Sequence, residues 1–259
     1  MFITLTTDFG TSDHFVGAMK GVIASIAPRA TVIDITHEIP PYDVTQAAFV
    51  IGQAWQYFPK RTAHVIVIDP GVGTARRPIL AEAAGQFFIA PDNGVLSMVF
   101  DSGPHSVRVI SNAKVMRKEI SRTFHGRDIF APAAAHLARG IAPKLFGKKI
   151  DDYIRSSALN ARKVSNTRYS GTILKVDRFG NLITNLHIDQ FPELRTRPFE
   201  LRAGVERIRR FALTFADAAI GELFAIVGSS GYLEIAANQA SAANLLGCGA
   251  GAPVDLEMM

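Results

Sequence analysis

Five polar clusters punctuate the chain, each at the end of an apolar run. Three are Thr6-Thr7-Asp8-Phe9-Gly10-Thr11-Ser12-Asp13-His14, Ile39-Pro40-Pro41-Tyr42-Asp43 and Asp69-Pro70-Gly71-Val72-Gly73-Thr74-Ala75-Arg76. The others are Thr123-Phe124-His125-Gly126-Arg127-Asp128 and Asp177-Arg178-Phe179-Gly180-Asn181. Loops that follow strands are where open α/β sheets gather ligands. Taken singly, each cluster has a bland reading. Asp13 reads as a helix N-cap, whereas Asp8 precedes a Phe-Gly turn and not a helix start. Gly71-Val72-Gly73 lacks the Gly-Lys-Ser/Thr of a P-loop and the spacing of a dinucleotide fingerprint. A two-metal phosphoesterase needs Asp and His ligands dense enough to bridge two ions. Here His14, His64, His105, His136 and His187 lack paired ligand spacing, and His64 and His136 sit in apolar runs that suit core or helix-surface histidines. No Gly-x-Ser-x-Gly elbow supports a serine hydrolase.

The elements that must carry these clusters follow from hydrophobic periodicity. Residues 2–6, 31–35 and 63–68 read as strands, the last apolar throughout, as in a parallel sheet buried on both faces. Residues 13–26 and 43–57 read as helices, with Pro28 stopping the first and Asp43 capping the second. Further strands are expected at 79–84 and 86–90, and an Ala-rich helix at 128–139. Beyond residue 160 helical periodicity gives way to short alternating runs at 170–176, 182–186, 199–202, 207–213, 223–227 and 232–235. The expectation is an amino-terminal α/β domain, residues 1–163, with a mainly parallel sheet. A small carboxy-terminal antiparallel β-barrel-like domain, residues 164–259, completes the chain.

Composition narrows the class. The chain has 259 residues, 48% hydrophobic and 20% charged, which is a globular balance. A lone Cys248 excludes a disulfide framework and any multi-cysteine metal site. No apolar run reaches the ~18–20 residues of a membrane span. The amino terminus opens on a strand-like run without a basic leader, so a cytoplasmic location is expected. The net charge is +5, yet the first hundred residues hold six basic against eight acidic side chains. The basic excess, including Arg202, Arg207, Arg209 and Arg210, alternates with apolar residues as on a half-exposed strand. It does not form an aromatic-interleaved nucleic-acid motif, so neither nucleic acid nor membrane is an expected partner.

Read in order, the clusters resemble one family, the S-adenosyl-L-methionine (SAM) hydroxide adenosyltransferases or SAM hydrolases, relatives of the fluorinase and chlorinase. The resemblance rests on Thr7-Asp8-Phe9-Gly10, Pro41-Tyr42-Asp43-Val44, Val67-Ile68-Asp69-Pro70-Gly71-Val72-Gly73-Thr74 and Ala90-Pro91-Asp92-Asn93-Gly94. It continues through Thr123-Phe124-His125-Gly126-Arg127-Asp128, Asp177-Arg178-Phe179-Gly180-Asn181, Thr214-Phe215-Ala216-Asp217 and Gly231-Tyr232-Leu233-Glu234-Ile235-Ala236. It implies a homotrimer with substrate between subunits, no metal, no cofactor, and displacement at ribose C5′ of SAM by water, giving adenosine and L-methionine. It also implies that Asp69, Arg76 and His125 surround the water. The fluorinase has a tyrosine and a serine in the matching loops, and an insertion where Gly85 here passes straight into the next strand.

A sulfonium leaves as a neutral thioether without an acid, so the difficulty lies with the nucleophile. Water and an aspartate differ by roughly 12 pKa units, so complete proton transfer beforehand would cost about 16 kcal/mol. A base that takes the proton as the C–O bond forms avoids most of that. The sequence leaves open which member of the group receives the proton.

For the substrate, the resemblance implies that Asp8 accepts both ribose hydroxyls, with Tyr42 beside the ribose. Asp13, Asp177 and Ser229 match positions around the methionine end, and Asn181, Phe215 and Asn238 match the adenine pocket. Asn93, Tyr232 and Glu234 complete the implied substrate contacts. Ser230 departs from the fluorinase pattern, which has an arginine there. Competing classes are a SAM- or adenosine-binding sensor, a SAM-dependent halogenase and a metal-dependent nucleotide hydrolase.

Overall fold

A computed structural model describes all residues, 1–259. The chain forms two compact units, Met1–Ser156 and Ser157–Met259. This division falls a few residues before the expected boundary at 163/164, because Arg162–Lys163 already pairs with the long strand Arg168–Val176 of the second unit.

The first unit holds strands β1 (Phe2–Thr7), β2 (Thr31–Thr36), β3 (Ala63–Val67), β4 (Pro78–Ala83), β5 (Gln86–Pro91), β6 (His105–Val109) and β7 (Lys149–Ile150). They form one sheet in the order β2-β1-β3-β5-β4-β6-β7. Strands β2, β1, β3 and β5 run parallel, while β4, β6 and β7 follow in turn, each antiparallel to the strand before it in the sheet. The parallel half is where both faces are covered. Ile3, Leu5, Val65 and Val67 pack into the core made with helices α1 (Phe15–Ile26) and α4 (Ala131–Ala138). His64 and Ile66, which point the other way along β3, are equally buried. Helices α2 (Val44–Ala54) and α3 (Ser97–Asp101) contact each other, and α2 contacts β1. Asp43 caps α2 by accepting Gln46 N–H at 2.8 Å. The β4–β5 hairpin turns on Ala84 (φ 49°) and Gly85 (φ 77°), a left-handed pair suited to the twist of the flanking strands.

Two expectations are corrected here. The first helix starts at Phe15, and its N-cap position is His14, with no side-chain cap bond; Asp13 does not cap it. The helix expected at 128–139 begins as a π turn, Gly126–Phe130, before α4. Pro132 has no N–H, so the Asp128 carbonyl four residues earlier is released from the helix and accepts Arg117 N–H at 2.9 Å instead.

The second unit is an eight-stranded antiparallel sheet. Its strands are β8 (Arg162–Lys163), β9 (Arg168–Val176), β10 (Leu182–His187), β11 (Phe199–Ala203), β12 (Glu206–Ile208), β13 (Leu223–Val227), β14 (Tyr232–Ala237) and β15 (Pro253–Met258). The order is β12-β11-β15-β9-β10-β14-β13, with β8 on β9. A bridge from Phe211 to Ala225 nearly closes the sheet into a barrel. The run at 207–213 is therefore not one strand: it breaks after Ile208, and the following residues cross to β13. Arg202, Arg207 and Arg209 converge on Glu200, whose side chain is only 3% exposed, so their charge is spent within the fold. Strands β6 and β15 and the short helix α5 (Ala242–Leu246) lie outside the expected elements, although Val254, Leu256 and Met258 of β15 alternate with Asp255 and Glu257.

Candidate active site

Four loops, after β1, β2 and β3 and before the π turn, shape a cavity of about 320 Å³ in the first unit. Asp8, Tyr42, Asp69 and His125 line it, with Phe9, Phe15 and Phe124 forming an aromatic wall. The β1 end is braced from behind. Thr7 Oγ1 meets His37 Nδ1 at 2.8 Å, His37 Nε2 lies 3.1 Å from Asp34, and Asp34 accepts Lys20 at 2.6 Å. Gly10 N–H, donating to the His37 carbonyl at 2.8 Å, completes the tie. This chain was invisible in sequence, since Thr7, Asp34 and His37 become neighbours only when β1 and β2 pair. Asp8 accepts Tyr42 N–H at 2.9 Å, holding Tyr42 in a left-handed conformation (φ 68°) at the cavity lip.

Asp69, Arg76 and His125 come together, although 49 residues separate the last two. Arg76 Nε donates to Asp69 Oδ1 at 3.0 Å, and Nη2 donates to Asp69 Oδ2 and also to His125 Nδ1 at 2.8 Å. The Asp69 and Arg76 side chains are only 6% and 7% exposed, so this is a buried pair and not a surface bridge. Gly73 permits the approach: at φ 77°, any Cβ there would collide with the Arg122 carbonyl oxygen, in the loop that leads to His125. Asp128, fully buried, fixes that loop by accepting Ser121 N–H at 2.8 Å and pairing with Arg117 and Arg127.

The protonation logic is set by donors and acceptors. A guanidinium only donates, so His125 Nδ1 accepts, and the neutral ring carries its hydrogen on Nε2. Burial lowers the His125 pKa, reinforced by the Arg76 charge, which keeps the ring neutral; Asp69 and Asp128 oppose. Burial pushes the Asp69 carboxyl above its ordinary value, against the charge and hydrogen bonds of Arg76. The group thus combines a strengthened base with a neutral imidazole donor. Asn93 does not line the cavity. Its amide donates to the Ile68 carbonyl at 2.9 Å, fixing the residue before Asp69. Asp13 is exposed and outside the lining.

The second unit has its own cavity, about 990 Å³, lined by Asp177, Asn181, Phe215, Ser229, Glu234 and Asn238 among others. Asp177 is locked into its turn, accepting Phe179 N–H at 2.8 Å, Asn181 N–H at 2.9 Å and the Asn181 amide at 2.9 Å. Asn238 donates to the Ala218 carbonyl at 2.7 Å, and Phe215 packs edge-on against Phe224. Tyr232 is not part of the lining; its ring packs edge-on against His187. His64 is a satisfied core residue, bonded to Thr4 at 2.7 Å and Gln86 at 2.6 Å, with burial lowering its pKa to about 4. No group of three or more His, Cys, Asp or Glu side chains is gathered to hold a metal ion.

Comparison with known proteins accounts for most of the chain. The family models for the SAM hydroxide adenosyltransferase N-terminal and C-terminal domains match residues 3–147 and 171–255. The chain belongs to the SAM hydroxide adenosyltransferase family. Among its members, the (R)-S-adenosyl-L-methionine hydrolase of Salinispora tropica is 36% identical, over 95% of this chain and 94% of its own. A fluorinase from an Actinoplanes species is 32% identical over 92% of this chain and 91% of its own. A crystal structure of an uncharacterized conserved protein from Thermotoga maritima superposes with a TM-score of 0.89 at 38% identity, covering 99% of each chain. No helix of this family member is long and apolar enough to cross a membrane.

Proposed function

We propose that this protein hydrolyses SAM to adenosine and L-methionine, and, following the names of its hydrolase relatives, that it takes the R epimer at sulfur. The observation that carries the reading is the buried Asp69–Arg76–His125 group bordering a cavity that also presents Asp8. In this reading a water lies between Asp69 and the Nε2–H of His125. Asp69 takes its proton as the oxygen bonds to C5′, and the C5′–S electron pair leaves on sulfur as a neutral thioether. His125 donates to the water oxygen and orients it, while Arg76 holds both partners. The transfer is concerted, so free hydroxide never has to form. Asp8 accepts the ribose hydroxyls, with Tyr42 covering that face, and Asn181, Asn238 and Phe215 take the adenine.

The same reading makes the protein a cytoplasmic homotrimer needing neither metal nor cofactor. It is supported by the family resemblance, and by the division of the implied substrate groups between the two units. Incubating pure protein with SAM in the presence of EDTA and separating products by chromatography tests it. Adenosine and methionine are expected in equal amounts; loss of activity on chelation, restored by one divalent ion, would overturn the metal-free mechanism.

A further inference from the structure

The second-unit cavity holds two carboxyl groups and no Lys, Arg or His. The two acids are not equivalent. Asp177 is consumed by its own turn, where both oxygens accept hydrogen bonds from Phe179 and Asn181. Glu234 receives no hydrogen bond, and its only charged neighbour is Asp177. Its position in β14 sits opposite Ile183 of β10 and Ile226 of β13, so no cation faces it from either flanking strand. Room for its carboxyl is made by Gly228, where a Cβ would collide with Glu234 Oε1. Gly228 lies outside the left-handed φ range, so the glycine supplies space and not a special conformation. The remaining polar groups are partly committed. Asn181 and Asn238 each give one amide N–H to the fold, and Ser241 caps α5 by accepting Asn244 N–H at 3.2 Å.

An unpaired carboxyl in a cleft without a cation calls for a positively charged donor from the ligand. Nothing charged in this cavity answers a ligand carboxylate. We propose that Glu234 recognises a free ammonium group on the ligand, and that the activity extends to adenosyl sulfonium compounds that carry an amine but lack the carboxylate. The inference rests on the hydrolase reading and specifies what the second unit selects. The chemistry is unchanged for such a substrate: water oxygen bonds to C5′, the C5′–S pair leaves on sulfur, and one proton is released. Products are adenosine and an aminoalkyl methyl thioether. Burial and the Asp177 charge raise Glu234 to about 6, so ammonium recognition strengthens as pH rises through that value.

The test compares SAM, decarboxylated SAM and a desamino analogue on the wild-type protein, on Glu234→Gln and Glu234→Asp, and on Gly228→Ala, which displaces the carboxyl without removing it. Calorimetric Kd and steady-state KM are measured for each, with melting temperature as the folding control. Wild type should turn over decarboxylated SAM within about tenfold of the kcat/KM for SAM, and lose at least tenfold in Kd for the desamino analogue. Glu234→Gln and Gly228→Ala should each weaken binding of the two amines about tenfold, the loss appearing in Kd and KM, and leave the desamino analogue unaffected. Glu234→Asp should recover part of the loss. Turnover of SAM without turnover of decarboxylated SAM, or equal effects of Glu234→Gln on all three ligands, would overturn the inference while leaving the hydrolase reading intact. Glu234-dependent amine binding with no product from any ligand would instead overturn the hydrolase reading, and with it the extension of activity, while upholding ammonium recognition by Glu234.

Discussion

Replacing Asp69 by Asn separates a water-activating carboxylate from a structural one. The substitution keeps shape but leaves the Arg76 guanidinium buried beside a neutral amide, with its Nη1 already lacking a partner. Removing one partner of a buried pair costs about 3–5 kcal/mol. At ~2–4 °C per kcal/mol for a chain of this size, the melting temperature should fall on the order of 10 °C. The catalytic loss is a different quantity: a positioned general base contributes about 10²–10⁴-fold, so kcat per folded molecule should drop at least ~100-fold. Single-turnover rates with SAM prebound, corrected for folded fraction by near-ultraviolet circular dichroism, read it directly. His125→Ala should cost a similar factor, and the double variant little more than the worse single one, because in the proposed mechanism the two act on one water. The pH profile offers a further check. Burial raises Asp69, so activity should fall on acidification through a value above the ordinary aspartate pKa of ~3.9. If Asp69→Asn turns over bound SAM at the normal rate, the base assignment is wrong and the pair serves only stability.

Other outcomes follow from named contacts. Asp8→Ala should raise KM for SAM about tenfold or more, since hydrogen bonds to a charged acceptor are worth roughly 1.5–3 kcal/mol each; unchanged KM and Kd would limit Asp8 to holding Tyr42 N–H. Gly73→Ala should lower kcat without touching a catalytic group, because its Cβ would drive the Asp69 loop off the Arg122 carbonyl; normal kcat would show that this approach is not needed. His64 is held neutral, its pKa lowered from 6.5 to about 4. Its folded form is therefore fully favoured above pH 6.5, and stability is lost as pH falls from 6.5 towards 4, by ~3 kcal/mol in all. In His64→Gln the urea-unfolding free energy should lose that part of its acid slope.

The sequence by itself determined the elements whose side chains are sorted by a repeating environment. β1 and β3 alternate between two buried faces, and α1 carries apolar residues at helical spacing, so local periodicity reports them. The hairpin at Ala84-Gly85 and the Asp43 cap are equally local, set by left-handed φ and a single side-chain acceptor. Motif order also sufficed to pick out Asp69, Arg76 and His125 together. What it did not contain was distance. Whether Arg76 was a surface partner or a buried clamp depended on Gly73 letting two loops meet, which is a tertiary contact. The proton's place on His125 followed only once Nδ1 was seen to accept from a guanidinium. Asp13 and Asp177 look alike as loop acids, yet one is exposed and caps nothing, while the other is saturated by its own turn. Glu234 reads as an alternating polar residue of a strand. The structure alone makes it the unpaired acid of a cavity, because burial and hydrogen-bond satisfaction are decided by neighbours that lie far off in the chain.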